Sequence, residues 1–400
     1  MSLSHGRPYL AIPGPSVVPD RVLAAMHRPS PNIYAGALHD LVDSLIPDLR
    51  AVARTAAGHV AIYIGNGHAA WEAANTNIFS RGDRALVLVT GRFGQGWADA
   101  AGRLGIAVDT IDFGRRSPAD PARLAEALAA DTAHTIRAVL VTHTDTASTV
   151  RNDIAALRAA IDAAGHPALL MVDCIASLGC DRFEMDAWGV DVMIAASQKG
   201  LMVPPGLAFA WFSDKARAAG ATADLRTPYW DWGPRAAPDQ FYQYFCGTAP
   251  THHLYGLRES LDMLVHEEGV EAAWARHARL AGAVWAACEA WGRGGSLALN
   301  VAEAAHRGHS VTSVRIAPPH GTALREWCER EAGVTLGIGL GMAEPDDPAW
   351  HGFFRIAHMG HVNAHMTLGA LAVIEAGLQA LDVPHGAGAL DAAAAALIAP

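Results

Sequence analysis

Two linked stretches, Ala168-Leu169-Leu170-Met171-Val172-Asp173-Cys174-Ile175-Ala176-Ser177 and Ala195-Ala196-Ser197-Gln198-Lys199-Gly200, carry most of the structural information in this chain. The run from Ala168 to Val172 is apolar without interruption and closes on Asp173, as in a parallel strand buried on both faces. A second apolar run, Val192 to Ala196, leads into Ser197-Gln198-Lys199 and then the Pro204-Pro205-Gly206 turn. Open α/β sheets build their sites at the carboxyl ends of such strands, where this aspartate and this lysine fall. A lone lysine reads as a solvated surface charge and a lone aspartate as a turn residue. Pyridoxal phosphate chemistry needs them together. The lysine forms a Schiff base, and a buried aspartate keeps the pyridine nitrogen protonated so that the ring accepts electrons.

Upstream, Pro19-Asp20 opens a helix that runs to Met26, and apolar spacing predicts a second helix over Leu38 to Ala57. Val60 to Ile64 reads as a strand, followed by Gly65-Asn66-Gly67-His68 and a helical run from Ala69 to Thr76. Strand, glycine turn and helix start together offer a phosphate backbone N–H groups and a positive helix end. The turn alone is weak, because many α/β connections contain one. Further strands are predicted at Ala85 to Thr90, Ala138 to Thr142 and Leu207 to Phe212, with a helix from Ile154 to Ala164. No linker or repeat interrupts the first 265 residues, so strands and helices alternate through one large unit.

From about Gly269 the pattern changes. A long helix (Glu271 to Trp291), a strand (Val311 to Ile316), a helix (Thr322 to Glu331) and a final helix (Met366 to Leu381) are predicted. Leu336-Gly337-Ile338-Gly339-Leu340-Gly341 lacks dinucleotide spacing and does not lie between a strand and a long helix, which excludes a nicotinamide site. His358, His361 and His365 suit a metal only on a continuous helix, and Gly360 interrupts them, so structural histidines and no metal are expected.

The words Val172-Asp173-Cys174-Ile175-Ala176-Ser177-Leu178-Gly179, Ser197 to Gly206 and Leu254-Tyr255-Gly256-Leu257-Arg258-Glu259-Ser260 resemble the class V aminotransferases. The likeness is to their alanine–glyoxylate and serine–glyoxylate aminotransferase branch, and it runs from Pro13 to about Leu381. It implies an α/β protein of aminotransferase fold type I. A large domain with a mostly parallel seven-stranded sheet flanked by helices would be joined to a smaller C-terminal α+β domain. The implied division is an N-terminal segment (1–20) at the active-site entrance, a large domain (21–265) that binds pyridoxal 5′-phosphate, and a small domain (266–400).

By the same resemblance Lys199 and Asp173 are the catalytic pair. Asn66, Gly67, His68 and Gln198 would hold the phosphate, and Phe93 would stack on the ring opposite Ile175. Thr146, and after it Ser148, would reach the phenolic oxygen. Thr248 would touch the phosphate of a neighbouring subunit's cofactor, which implies a homodimer with shared sites. Arg355 would clamp the substrate α-carboxylate as a bidentate pair, and the backbone around Gly14 would line the same pocket. His358 would help to shape it. The chain departs from the family in four places. Asp145 replaces Glu. Thr149 replaces Gly, suggesting a backbone without positive φ there. Phe245 replaces a phosphate-binding Tyr, a hydroxyl that Tyr244 or water would have to supply. Ile33-Tyr34-Ala35-Gly36 replaces a His-Arg-Ser-Pro segment, which removes a cation and favours small neutral donors over aspartate.

The activity so implied moves an amino group from serine, alanine or a similar amino acid to a 2-oxo acid, with glyoxylate the expected acceptor. A cysteine desulfurase would need a mobile-loop cysteine, whereas Cys328 falls in a predicted helix. A pyridoxamine–pyruvate transaminase is nearer, since Arg355-Ile356-Ala357-His358-Met359-Gly360 resembles its carboxylate-binding segment. It would require an acid near position 68 and an arginine near 340, where this chain has His68 and Leu340. A non-catalytic regulator on the same fold would lack Lys199 or Asp173.

Composition agrees with that class. The 400 residues are 51% hydrophobic and carry a net charge of −10, with no basic stripe to neutralise nucleic-acid phosphates. No stretch approaches the length of a membrane span. The five cysteines lack metal-type pairing, so reduced thiols in a cytoplasmic protein are expected.

Overall fold

The chain enters through a three-residue strand, β1 (Tyr9–Ala11), in a computed structural model that describes residues 2–398. Residues 1, 399 and 400, which belong to the expected end segments, lie outside the described residues. Seven strands then form the larger sheet: β2 (His59–Gly65), β3 (Arg84–Val89), β4 (Ala107–Asp112), β5 (Ile136–Thr142), β6 (Leu169–Asp173), β7 (Val192–Ala196) and β8 (Gly206–Phe212). Their order is β2-β8-β7-β6-β5-β3-β4. β8 runs antiparallel to β2 and β7, while the remaining neighbours are parallel. This is the mostly parallel sheet that the α/β pattern implies.

Side chains alternate across this sheet, and two apolar cores result. Leu170, Val172, Val139 and Val141 join one core; Leu169, Met171, Ala138 and Leu140 join the other. All five residues of β6 and of β7 are buried. Burial on both faces leaves no polar alternation in these strands, which is why they read as continuous apolar runs. Register pairs Thr142 with Asp173 and Asp173 with Ile194, so β5, β6 and β7 end along one edge. The loops that leave this edge carry Thr144, Thr146, Ile175, Gln198 and Lys199.

The smaller sheet holds β9 (Ala298–Leu299), β10 (Val311–Arg315), β11 (Val334–Ile338) and β12 (Phe353–Ala357) in the order β1-β11-β12-β10-β9. β1 lies parallel to β11, with Tyr9 beside Val334. The first residues of the chain therefore close the edge of a sheet built from its last third. The helical run that begins at Thr251 continues to Glu268 and breaks at Gly269, where φ is 87°.

Three elements differ from the sequence expectations. The helix expected over Leu38 to Ala57 spans Ala37–Ala53, because Arg54 turns left-handed (φ 58°) and Thr55 donates to Asp186 at 2.6 Å. The glycine-rich segment is split: Leu336 to Ile338 complete β11, and the chain then turns through Gly341 (φ 70°). A last helix, Ala389–Ile398, carries no expectation, since an almost all-alanine sequence has little periodic contrast. Ala389 and Ala393 nevertheless bury beside Ala283 and Ala287 of the long helix Val270–Gly292.

Candidate active site

Asp173 ends β6 and is 4% exposed. Its Oδ1 accepts the Ile175 backbone N–H at 2.7 Å and its Oδ2 accepts the Trp71 indole N–H at 2.8 Å. Burial pushes its carboxyl up to about 6 against those two donors. Lys199 follows β7 by three residues and is 9% exposed. Its Nζ donates to the Pro13 carbonyl oxygen. Burial, and then the Arg355 charge, lower this amine to about 7, while Asp173 and Cys180 pull it upward. A lysine in that range is substantially neutral near pH 7, the form that attacks a carbonyl carbon. The sequence contains one further lysine, Lys215, half-exposed and 3.5 Å from Asp191.

A cavity of about 200 Å3 separates the two groups, and nine of the residues singled out in the sequence line it. These are Asn66, Gly67, His68, Phe93, Thr146, Asp173, Ile175, Gln198 and Lys199. At one end stands the start of helix Gly67–Ile78, where the Asn66 side chain accepts the His68 N–H at 3.1 Å and caps the first turn. Gly67 lets the tip of Ile175 pack against the helix start, since a Cβ would come within 2.6 Å of Ile175 Cδ1 and push it aside. Gln198 lines the cavity with a buried Oε1 that has no hydrogen-bond partner among the described residues.

Phe93 is held by a residue whose role the sequence does not advertise. The buried Asp145 carboxylate accepts the N–H groups of Phe93 (2.8 Å), Gly94 (3.1 Å), Ala147 (2.9 Å) and Ser148 (3.3 Å). It thereby locks the start of helix Arg92–Arg103 onto the loop after β5, and a Cβ on Gly91 would overlap it. That loop corrects an expectation. Thr149 does adopt positive φ, at 65°, a conformation that glycine adopts more readily. Its hydroxyl and backbone are tied to Ser313, Asp145 and Gly308, which offsets a left-handed strain on the order of 1 kcal/mol.

Arg355, on β12, is 4% exposed and does not line the cavity itself but bonds a residue that does, Thr146. Its Nε donates to Ile338 O and its Nη1 to Thr146 O, both at 2.7 Å. Among the described residues no carboxylate pairs with it, and burial lowers it to about 10. Gly14 presses against Lys199. It has φ 105°, and a Cβ there would overlap Nζ. Ser16, not foreseen, ties this entrance segment down by donating from Oγ to Lys199 O (2.7 Å) and from N to Gln198 O (2.9 Å).

Other expected residues are not gathered within this chain. Ser148 lies outside the cavity, with its hydroxyl accepting the Val150 N–H at 3.2 Å; Thr144 lines the wall instead. Thr248 is exposed and away from the cavity. Tyr244 donates to Asp43 at 3.0 Å, and Phe245 is buried in the core. His358 is fixed by Thr312 and the His309 carbonyl, both at 2.8 Å. The sequence gives no sign of the role of Trp71, because one indole in an apolar helix face carries no local signal of its carboxylate partner.

The chain is similar to known proteins over nearly its whole length. The Aminotransferase class-V family model matches residues 8–356. The chain is 36% identical over 391 residues to a serine–glyoxylate aminotransferase of Arabidopsis thaliana, covering 97% of this chain and 94% of that one. A Methylorubrum extorquens enzyme of the same name is 38% identical over 383 residues (93% and 91%). An L-aspartate–glyoxylate aminotransferase of Paracoccus denitrificans is 35% identical over 390 residues (96% and 94%). Among solved structures, alanine–glyoxylate aminotransferase from Nostoc sp. superposes with a TM-score of 0.84 at 29% identity, covering 93% and 96%. Pyridoxamine–pyruvate aminotransferase from Mesorhizobium loti gives 0.86 at 26% identity, covering 98% of each chain.

Proposed function

The chain belongs to the class-V aminotransferases and is an aminotransferase, and from that premise we propose that it uses pyridoxal 5′-phosphate to move the amino group of serine, alanine or a similar small amino acid to glyoxylate. The observation that carries the reading is one cavity lined by a depressed lysine and a buried aspartate, with Arg355, which has no ion pair among the described residues, bonded to Thr146 of its wall. The residues present fit the cofactor. The capped helix start at Asn66, Gly67 and His68 and the side-chain amide N–H groups of Gln198 would hold the phosphate; Phe93 and Ile175 would flank the ring; Asp173 would face its nitrogen; Lys199 would hold its aldehyde. Thr146 would contact the phenolic oxygen.

When bound, the cofactor supplies an electron-withdrawing ring that makes the Cα–H of an amino acid acidic. Lys199 Nζ, close to half-neutral at pH 7, takes that proton as a general base. Asp173 keeps its charge on the side of the ring nitrogen. Arg355, already held by two carbonyl oxygens, pairs with the substrate carboxylate and orients Cα toward Lys199. The Pro13–Ser16 strap covers the lysine and limits water around it.

We place small neutral donors ahead of aspartate because Ile33 to Gly36 bears no cation and Tyr34 is 86% exposed. Exposed Thr248 supports a homodimer in which it meets the other subunit's phosphate. Five free cysteines support a cytoplasmic setting, and no described helix is long and apolar enough to cross a membrane. The test is the visible spectrum of the holoprotein with a donor panel. Serine or alanine should bleach the yellow band, and glyoxylate should restore it. A response to aspartate alone would overturn the donor assignment, and turnover of free pyridoxamine with pyruvate would move the activity to the neighbouring class.

A further inference from the structure

We propose that Trp71 is a positioning residue for Asp173: its indole N–H fixes one carboxylate oxygen, keeps the group anionic and aims it at the ring nitrogen. The proposal rests on the cofactor reading given above. Trp71 sits in the second turn of the helix whose first turn forms the phosphate end of the cavity, and it is 2% exposed. An indole N–H is a donor only, so at 2.8 Å the Asp173 oxygen must be the acceptor. The Ile175 N–H takes the other oxygen at 2.7 Å. Two donors from two separate elements fix the plane of the carboxylate, and each oxygen keeps a lone pair for the ring.

The indole is itself immobilised. It lies parallel to Trp97 (6.5 Å, 9°) and edge-on to Phe93 (6.4 Å, 60°) and His68 (4.6 Å, 62°). One side chain thus joins the helix start, the residue that stacks on the ring and the residue that faces its nitrogen. The charged and titratable groups around Asp173 oppose one another. Lys199, from the loop after β7, favours its ionisation; Asp145, from the loop after β5, and burial oppose it, and Cys174 beside it is a buried neutral thiol. Donors to the carboxylate are therefore what keep the charge in place.

The test compares Trp71→Phe, which keeps an aromatic ring and removes the N–H, with Trp97→Phe, whose indole bonds Asn75 instead. Each is made in the wild-type and Asp173→Asn backgrounds. The first readout is the melting temperature of cofactor-free protein against pH. A buried acid raised to about 6 binds its proton more tightly in the folded state, so its contribution is best below about pH 4 and is lost as pH rises toward 6. Trp71→Phe should carry that loss about 1 pH unit higher. The second readout is pyridoxal phosphate affinity, expected to weaken about 10-fold. Both effects should vanish in the Asp173→Asn background, and Trp97→Phe should leave the pH midpoint in place. Equal effects in both backgrounds, or an equal shift from Trp97→Phe, would assign Trp71 a packing role and overturn the proposal. A wild-type protein that does not bind the cofactor would defeat the cofactor reading separately, with the cofactor-free pH profile still deciding the Trp71–Asp173 coupling.

Discussion

The two ends of the cleft are built on opposite principles. At the sheet edge Asp173 has an N–H on each oxygen and Lys199 a carbonyl acceptor, so both groups are satisfied before any ligand arrives. Arg355, bonded to Thr146 of the cavity wall, is as deeply buried but hydrogen-bonds carbonyl oxygens alone, and it has no ion-pair partner among the described residues. Asp145 favours its charge through space, but that carboxylate is engaged by four backbone N–H groups, and a buried guanidinium without a direct ion pair costs stability. On the function proposed above, the contrast separates a permanent end that would hold the cofactor from an end that would exchange carboxylates.

Removing the unfilled side should give the largest effect. Arg355→Ala is expected to lower kcat/KM for both amino acid and oxo acid by roughly 100-fold while the holoprotein spectrum stays unchanged. Loss of the spectrum as well would break the division between the two ends. Gly14→Ala attacks the permanent end through the strap: the added Cβ displaces Lys199 Nζ, and activity should fall roughly 30-fold with an altered visible band. An unchanged band and rate would show that the strap yields freely.

The lysine also predicts a pH dependence. Only the neutral amine reacts, and its fraction grows as pH rises to about 7. Loading of cofactor-free protein, followed by absorbance, should quicken about tenfold per pH unit below 7 and level off above it. A rise continuing toward pH 10 would mean that burial does not depress Lys199. The smallest effect is expected at Thr149→Gly, where relieving the positive φ should be neutral or stabilising by about 1 kcal/mol. Destabilisation beyond that would assign the hydroxyl at Ser313 the greater weight.

The parts that were legible in the sequence are those written in continuous pattern. β6 and β7 are fully buried, so their apolar runs and the polar residues that end them mark the sheet edge directly. The glycine turn before helix Gly67–Ile78 is equally local. Contacts between distant residues were hidden. Ser16 meets Lys199 across 183 positions and Trp71 meets Asp173 across 102, and neither residue type announces such a partner. Thr149 misled for a different reason. Left-handed geometry is disfavoured for threonine, but four hydrogen-bonded N–H groups on Asp145 hold the turn in shape around it. β1 was also hidden, since three residues show no alternation and its partner lies more than 300 positions away.

The most direct test of the account is where the cofactor attaches. The sequence offers two lysines, one buried in the cleft and one on the surface beside Asp191. Borohydride reduction of holoprotein, digestion and peptide mass analysis should place the cofactor's mass on the peptide that carries Lys199. Label on Lys215, or on neither lysine, would contradict it.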